Sequence, residues 1–100
     1  MTSPELYLRR VRQLLFSVAE VLSVAEQAEV AHLVDHGEPA EGLRTLAWIL
    51  VEENKRVPAS VIAEIRALTL NWFSESDLPD NLEACALDMP PNANPPSEGL

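Results

Sequence analysis

The sequence predicts an all-α protein, a compact bundle of about four helices followed by a proline-rich acidic C-terminal tail. Apolar residues recur at the three- and four-residue spacing of a helix, and no alternating run is long enough to indicate a strand. Pro4, Pro39 and Pro58 each stand at the start of a helical pattern, where the missing N–H is not needed. The other five prolines lie at or after residue 79. The helical bundle domain is therefore predicted to span residues 1–76, and the tail, residues 77–100, to be partly disordered.

The first predicted helix begins at Pro4, with Ser3 as its N-cap. Its apolar residues share one broad face when they are placed at about 100° per residue. A break is expected near Leu22, because Ser23 and Glu26 have the spacing of a capping box that starts a second helix. The apolar face comprises Tyr7, Leu8, Val11, Leu14, Leu15, Val18 and Leu22.

The remaining helices are delimited by glycine and proline. The second is predicted to run to about His36 and to stop at Gly37, a common helix terminator. The third is predicted from Pro39 to near Asn54, and the fourth from Pro58. Their expected apolar faces are, in turn, Val30, Ala31, Leu33 and Val34; Leu43, Leu46, Ala47 and Leu50; and Val61, Ile62, Ile65, Leu68, Trp72 and Phe73.

The net charge of −9 disfavours binding to nucleic acid or to an anionic membrane and favours a basic partner. No apolar run reaches the roughly 18–20 residues of a membrane span. Arginines at positions 9, 10 and 12 precede an apolar segment and imitate a signal peptide, but Glu20 interrupts that segment and helical spacing explains the same residues. A cytoplasmic location is therefore expected.

Residues suited to catalysis or metal binding are few. His32 and His36 are four apart with Glu29 nearby, a pattern that can bind a divalent metal, but no further ligands accompany them. The helix dipole also explains a histidine at position 36. Cys85 is the single cysteine, so no internal disulfide forms; it lies in the tail, where residues 82–87 are expected to form a short helical turn. The sequence predicts no metal, no cofactor and no enzymatic activity.

Two aromatic residues fall off the apolar faces. Trp48 lies opposite the apolar stripe of the third helix, near Glu41 and Glu52, as an interface anchor would. The unbroken apolar run 48–51 instead favours packing of the indole under the tail or against another helix. Phe16 raises the same question on the first helix, and there burial against a neighbouring helix is expected.

The segment VAHLVDHGEPAEGLRTLAWILVEENKRVPASVIAEIRAL resembles the MafI-like immunity proteins of bacterial polymorphic toxin systems. The resemblance covers roughly residues 26–73, and Gly42 stands where the family often has alanine. It implies a cytosolic protein that binds and silences the toxic C-terminal domain of a secreted effector, commonly a nuclease. The residues that carry it are Asp35-His36-Gly37-Glu38-Pro39, then Leu43 and Leu46, then Glu52-Glu53-Asn54, then Val61, Ile65 and Leu68.

The preferred hypothesis is an immunity protein that occludes a basic surface of a cognate toxin domain. Its carboxylates are expected to pair with lysine or arginine on the toxin, and Trp48 to be the desolvated anchor. The alternative is a small helical adaptor or regulatory subunit that binds another protein, including a second copy of itself. The predicted partner-binding residues are Asp35, Glu38, Glu41, Trp48, Glu52 and Glu53.

Overall fold

The computed structural model describes residues 4–70, 72 and 77–87, and the regular elements of this part of the chain are all helical. The α-helices are α1 (Pro4–Ser17), α2 (Val24–Asp35), α3 (Pro39–Glu52) and α4 (Ala59–Thr69). A short 3₁₀ helix, Ala19–Val21, follows α1. A second 3₁₀ helix, Leu82–Cys85, is the last regular element of the described residues. The predicted all-α bundle is confirmed. The expected N-cap at Ser3, the expected core position of Phe73 and the tail beyond residue 87 lie outside the described residues.

The predicted breaks between helices are confirmed by local hydrogen bonds. The Ser23 hydroxyl accepts from the Glu26 backbone N–H at 3.0 Å, and the Glu26 carboxylate accepts from the Ser23 N–H at 2.8 Å, which completes a capping box. Gly37 ends α2 with φ of +83°, a conformation that side chains disfavour. The Glu38 N–H then donates to the Leu33 carbonyl at 2.8 Å. Asn54 ends α3 in the same left-handed region, with φ of +55°.

Protonation of Glu26 is expected to weaken the fold in acid. The hydrogen bond from the Ser23 N–H, with a smaller contribution from Lys55, holds the pKa of Glu26 below its ordinary value of 4.5. This stabilisation is present above pH 4.5 and is lost as pH falls through the depressed pKa of the folded state. We therefore expect the unfolding free energy of Glu26→Gln to fall less than that of the wild type between about pH 5 and pH 3.

Urea unfolding at a series of pH values measures this difference. The matched control is Glu29→Gln, which removes a carboxylate from the same helix without touching the cap. If the pH profile of Glu26→Gln coincides with that of the wild type, the capping interaction does not contribute to acid stability.

Helix α3 is the centre of the core and packs against α1, α2, α4 and the last 3₁₀ helix. Leu43, Leu46 and Leu50 are fully buried along one side of it, as the helical spacing predicts. Its approach to α2 is close at Gly42, where an added Cβ would lie 2.8 Å from Val34 Cγ2. Glycine therefore occupies this position because the two helices leave no room for a side chain.

The helical body extends through Ala86, beyond the boundary predicted after residue 76. Leu78, Leu82 and Cys85 are buried in the core, and backbone hydrogen bonds join Val57 to this segment: its N–H donates to the Cys85 carbonyl at 3.0 Å and its carbonyl accepts from the Leu87 N–H at 2.7 Å. The polar and proline-rich composition of this segment predicted a tail. Its apolar residues, spaced three and four apart, instead pack against α3 and α4.

The buried segment is also anchored by side chains. Arg66 of α4 donates to the Glu83 carboxylate at 2.8 Å, and this contact lowers the pKa of Glu83. The Cys85 thiol donates to the Leu50 carbonyl at 3.4 Å, and burial raises its pKa. Cys85 was expected in the tail but is a core residue, and the short helical turn expected in this segment is present as the 3₁₀ helix.

The first helix buries the predicted face and exposes Phe16. Val11, Leu14 and Val18 are buried, and the Tyr7 hydroxyl donates to the Leu68 carbonyl of α4 at 2.6 Å. The expectation that Phe16 packs against a neighbouring helix is wrong, because its side chain is 85% exposed. Phe16 is two residues from Leu14, which places it about 200° around α1 from that buried side chain.

Helix α4 ends before Trp72, which the sequence places on its apolar face. The helix ends at Thr69, and Trp72, expected on its apolar face, is 62% exposed. The Trp72 ring nevertheless packs on Tyr7, with ring centroids 6.1 Å apart. None of the described helices is long and apolar enough to cross a membrane.

Candidate functional site

A groove of about 370 Å³ lies between the N-terminal half of α2 and the C-terminal half of α3. Its wall carries more carboxylates than any other side-chain type, and we call it the acidic groove. An indole, a hydroxyl group and one guanidinium complete the polar wall. The lining residues include Glu26, Glu29, Arg44, Thr45, Trp48, Glu52 and Glu53.

The Trp48 side chain is hydrogen-bonded at one edge of its indole and exposed to solvent at another. Its indole N–H donates to the Asp77 backbone carbonyl at 3.1 Å, so the segment that begins at residue 77 fixes the orientation of the ring. The side chain remains 38% exposed. Both interpretations of the sequence thus apply in part: Trp48 contacts the segment that was predicted as tail, and it also presents an aromatic surface to solvent.

The acidic groove is electrostatically unbalanced. Glu26 is engaged by the α2 cap and by Lys55 at 3.3 Å. In contrast, Glu29, Glu52 and Glu53 take part in no ion pair within residues 4–70, 72 and 77–87. Glu52 and Glu53 also lie at the C-terminal end of α3, where a negative charge opposes the helix dipole. Within the described residues, the charge of these three carboxylates is therefore not offset by an ion pair.

Half of the predicted partner-binding residues lie together in this groove: Trp48, Glu52 and Glu53. The sequence predicts their proximity because residues four apart on α3 share one face. It did not identify Glu26 and Glu29, which come from α2 and complete the wall. An available signal was the helix stop at residues 37–39, which turns the chain back and brings the start of α2 beside the end of α3.

The other three predicted residues lie elsewhere. Asp35 forms an ion pair with Arg12 of α1 at 3.0 Å and lines a different groove, because it stands at the opposite end of α2 from the acidic groove. Glu41 pairs with Arg44 one turn along α3 at 3.1 Å and so approaches the groove only through that guanidinium. Glu38 is the exposed N-cap residue of α3. The predicted set is therefore divided between surfaces.

The two histidines form a pair on the exposed side of α2. Their ring centroids are 4.1 Å apart, and His36 Nδ1 lies 2.8 Å from the His32 carbonyl oxygen. Within the described residues there is no group of three or more histidine, cysteine, aspartate or glutamate side chains placed to hold a metal ion. The contact with its own helix carbonyl accounts for the position of His36.

Comparison of the chain with protein-family models, with curated proteins and with solved structures finds no match. Chemically, the acidic groove offers an oriented indole face beside three carboxylates that form no ion pair with the described residues, an arrangement suited to a lysine or arginine side chain.

Proposed function

We propose that the chain is an immunity protein that binds and neutralises the toxic C-terminal domain of a cognate secreted polymorphic toxin. The toxin domain is a nuclease, and the immunity protein occludes its basic surface in the cytoplasm by binding, without catalysis of its own. The observation that carries the proposal is the exposed indole of Trp48 among the carboxylates of Glu29, Glu52 and Glu53.

The acidic groove would recognise a cationic side chain of the toxin domain in two ways. The guanidinium or ammonium group lies over the exposed face of Trp48, a cation–π contact that strengthens when water is excluded. The carboxylates of Glu29, Glu52 and Glu53 then supply charge-assisted hydrogen bonds. Because the hydrogen bond to the Asp77 carbonyl already orients the indole, less side-chain freedom is lost on binding.

The immunity protein occludes the surface with which the nuclease binds nucleic acid. A surface that holds the phosphates of nucleic acid carries lysine and arginine, so an acidic protein competes for the same groups. The net charge of −9 accelerates encounter with such a surface, while the groove selects the partner.

The proposal is tested with the C-terminal domain of a large secreted protein encoded beside this chain. Co-expression of the two is expected to give a one-to-one complex, and the purified chain is expected to abolish the nuclease activity of that domain. A domain that remains active with an excess of the chain present contradicts the proposal. Recovery of an unrelated protein from the native cell, with no toxin gene nearby, favours the adaptor hypothesis instead.

Trp48→Ala is expected to weaken toxin binding by about thirtyfold or more, the effect of losing a central aromatic anchor. The matched control is Trp72→Ala, which removes an exposed indole outside the acidic groove and should leave the dissociation constant unchanged. Calorimetric titration measures both, after circular dichroism has shown that each variant is folded. Equal affinity of Trp48→Ala and wild type would exclude the indole as an anchor.

A further inference from the structure

A second surface, on α1, is apolar and lies apart from the acidic groove. Phe16 is the most exposed large hydrophobic side chain among the described residues, at 85%. A groove of about 900 Å³ opens beside the N-terminal half of the same helix, where Tyr7, Leu8 and Trp72 line it. Leu8 and Arg12 border both this groove and the shallow depression beside Phe16. The Phe16 side chain and this groove therefore belong to one continuous surface, which we call the α1 face.

The spacing along α1 makes this face self-complementary. Leu8, Arg12 and Phe16 are four residues apart and form a stripe along one side of the helix. Leu8 and Phe16 are separated by about 12 Å along the axis, at about 1.5 Å per residue. Two antiparallel copies of α1, related by a two-fold axis at Arg12, place Phe16 of each copy opposite Leu8 of the other. Both Phe16 side chains then pack against the partner copy at the same time, as a closed two-fold interface requires.

The charge of the α1 face indicates a second copy rather than a strongly charged partner. Arg12 pairs with Asp35 at 3.0 Å and Arg10 pairs with Glu64 at 3.0 Å. Three arginines and four carboxylates lie on α1 or beside it, a net charge of −1, whereas the chain as a whole carries −9. Two copies would therefore repel one another at most surfaces but not here. This set is Arg9, Arg10, Arg12, Glu5, Glu20, Asp35 and Glu64.

The ion pair at the centre of the stripe suits a two-fold axis. Arg12 and Asp35 keep about half of their side-chain surface exposed, at 54% and 52%. Two such pairs brought together across the axis place each guanidinium near a carboxylate of both copies. A salt-bridged pair at this position is therefore compatible with burial in a dimer.

We propose that two copies of the chain associate through their α1 faces, antiparallel about a two-fold axis at Arg12, with Phe16 of each packed on Leu8 and the adjoining groove of the other. The residues of the acidic groove take no part in this contact. Each dimer thus keeps both acidic grooves open, and association does not depend on the toxin.

Sedimentation equilibrium of the full chain tests the proposal. The wild type is expected to approach twice the 11.0 kDa chain mass as concentration rises. Phe16→Ser should weaken association by at least about tenfold, as loss of an interface anchor does. Val24→Ser is the matched control, because Val24 is almost as exposed, at 83%, and lies on α2 outside the α1 face. Its association constant should equal that of the wild type.

A wild type that remains at 11.0 kDa at millimolar concentration overturns the proposal. Equal weakening by Val24→Ser and Phe16→Ser also overturns it, because association would then not be specific to this face. Orientation is tested with Arg12→Cys, which places two thiols near the axis; oxidation should link the copies, whereas Glu20→Cys should not. Failure of Arg12→Cys to cross-link a dimeric sample overturns the antiparallel arrangement.

Discussion

Replacing Leu82 by alanine is expected to lower the free energy of unfolding by about 2–5 kcal/mol, the usual cost of truncating a fully buried leucine. Leu82 is fully buried although it lies in a segment whose composition predicts a tail. A chain of this size is stable by only about 5–15 kcal/mol, so the loss is a large share of the total. Chemical denaturation at neutral pH measures it.

Leu87→Ala is the matched control for Leu82→Ala. Leu87 is in the same segment and is 62% exposed, so the same chemical change should alter stability by less than about 0.5 kcal/mol. If the two variants are equally stable, residues 77–87 do not belong to the folded body. Indole fluorescence of Trp48 would report release of that segment, since its N–H is bonded to the Asp77 carbonyl.

Simultaneous reversal of three carboxylates, E29K/E52K/E53K, is expected to weaken binding to the toxin domain by at least about a hundredfold. Each lysine converts an attraction into a repulsion against a basic partner, and the three side chains line one groove. Because none of them pairs with another described residue, the fold loses no ion pair among those residues. Surface plasmon resonance at two salt concentrations separates the effect on the association rate from that on dissociation.

The control for charge reversal is E5K/E20K/D80K, which changes the net charge by the same amount. These three carboxylates are exposed and lie outside the acidic groove. A modest slowing of association and an unchanged dissociation rate are expected. If both triple variants lose equal affinity, net charge alone governs binding and the groove is not the recognition surface.

The helices and their boundaries were predictable because their causes are local. The Ser23 capping box and the Gly37 stop involve residues within five positions of one another. The buried position of Cys85 was not predictable in this way, because its contact with Leu50 joins residues 35 apart. Helical spacing also defines only the inward face of α1, so it did not show that the Phe16 side chain is exposed.

Half of the candidate site was predictable, because its residues on α3 are also placed by local helical spacing. Trp48 and Glu52 share a face of α3 through the helical repeat alone. Glu29 joins them only because α2 packs against α3, an approach made close by the absence of a side chain at Gly42. Asp35 was predicted to belong to the same partner-binding surface, but it pairs with Arg12 at the other end of α2.

The two tryptophans provide the most direct test of the acidic groove as the binding surface. Trp48 lines that groove and Trp72 lies on the α1 face, so the two indole N–H signals of a ¹⁵N-labelled chain report on separate surfaces. On addition of the unlabelled toxin domain, the Trp48 signal is expected to shift or broaden while that of Trp72 stays in place. A shift of Trp72 with an unchanged Trp48 signal would contradict the proposed recognition surface.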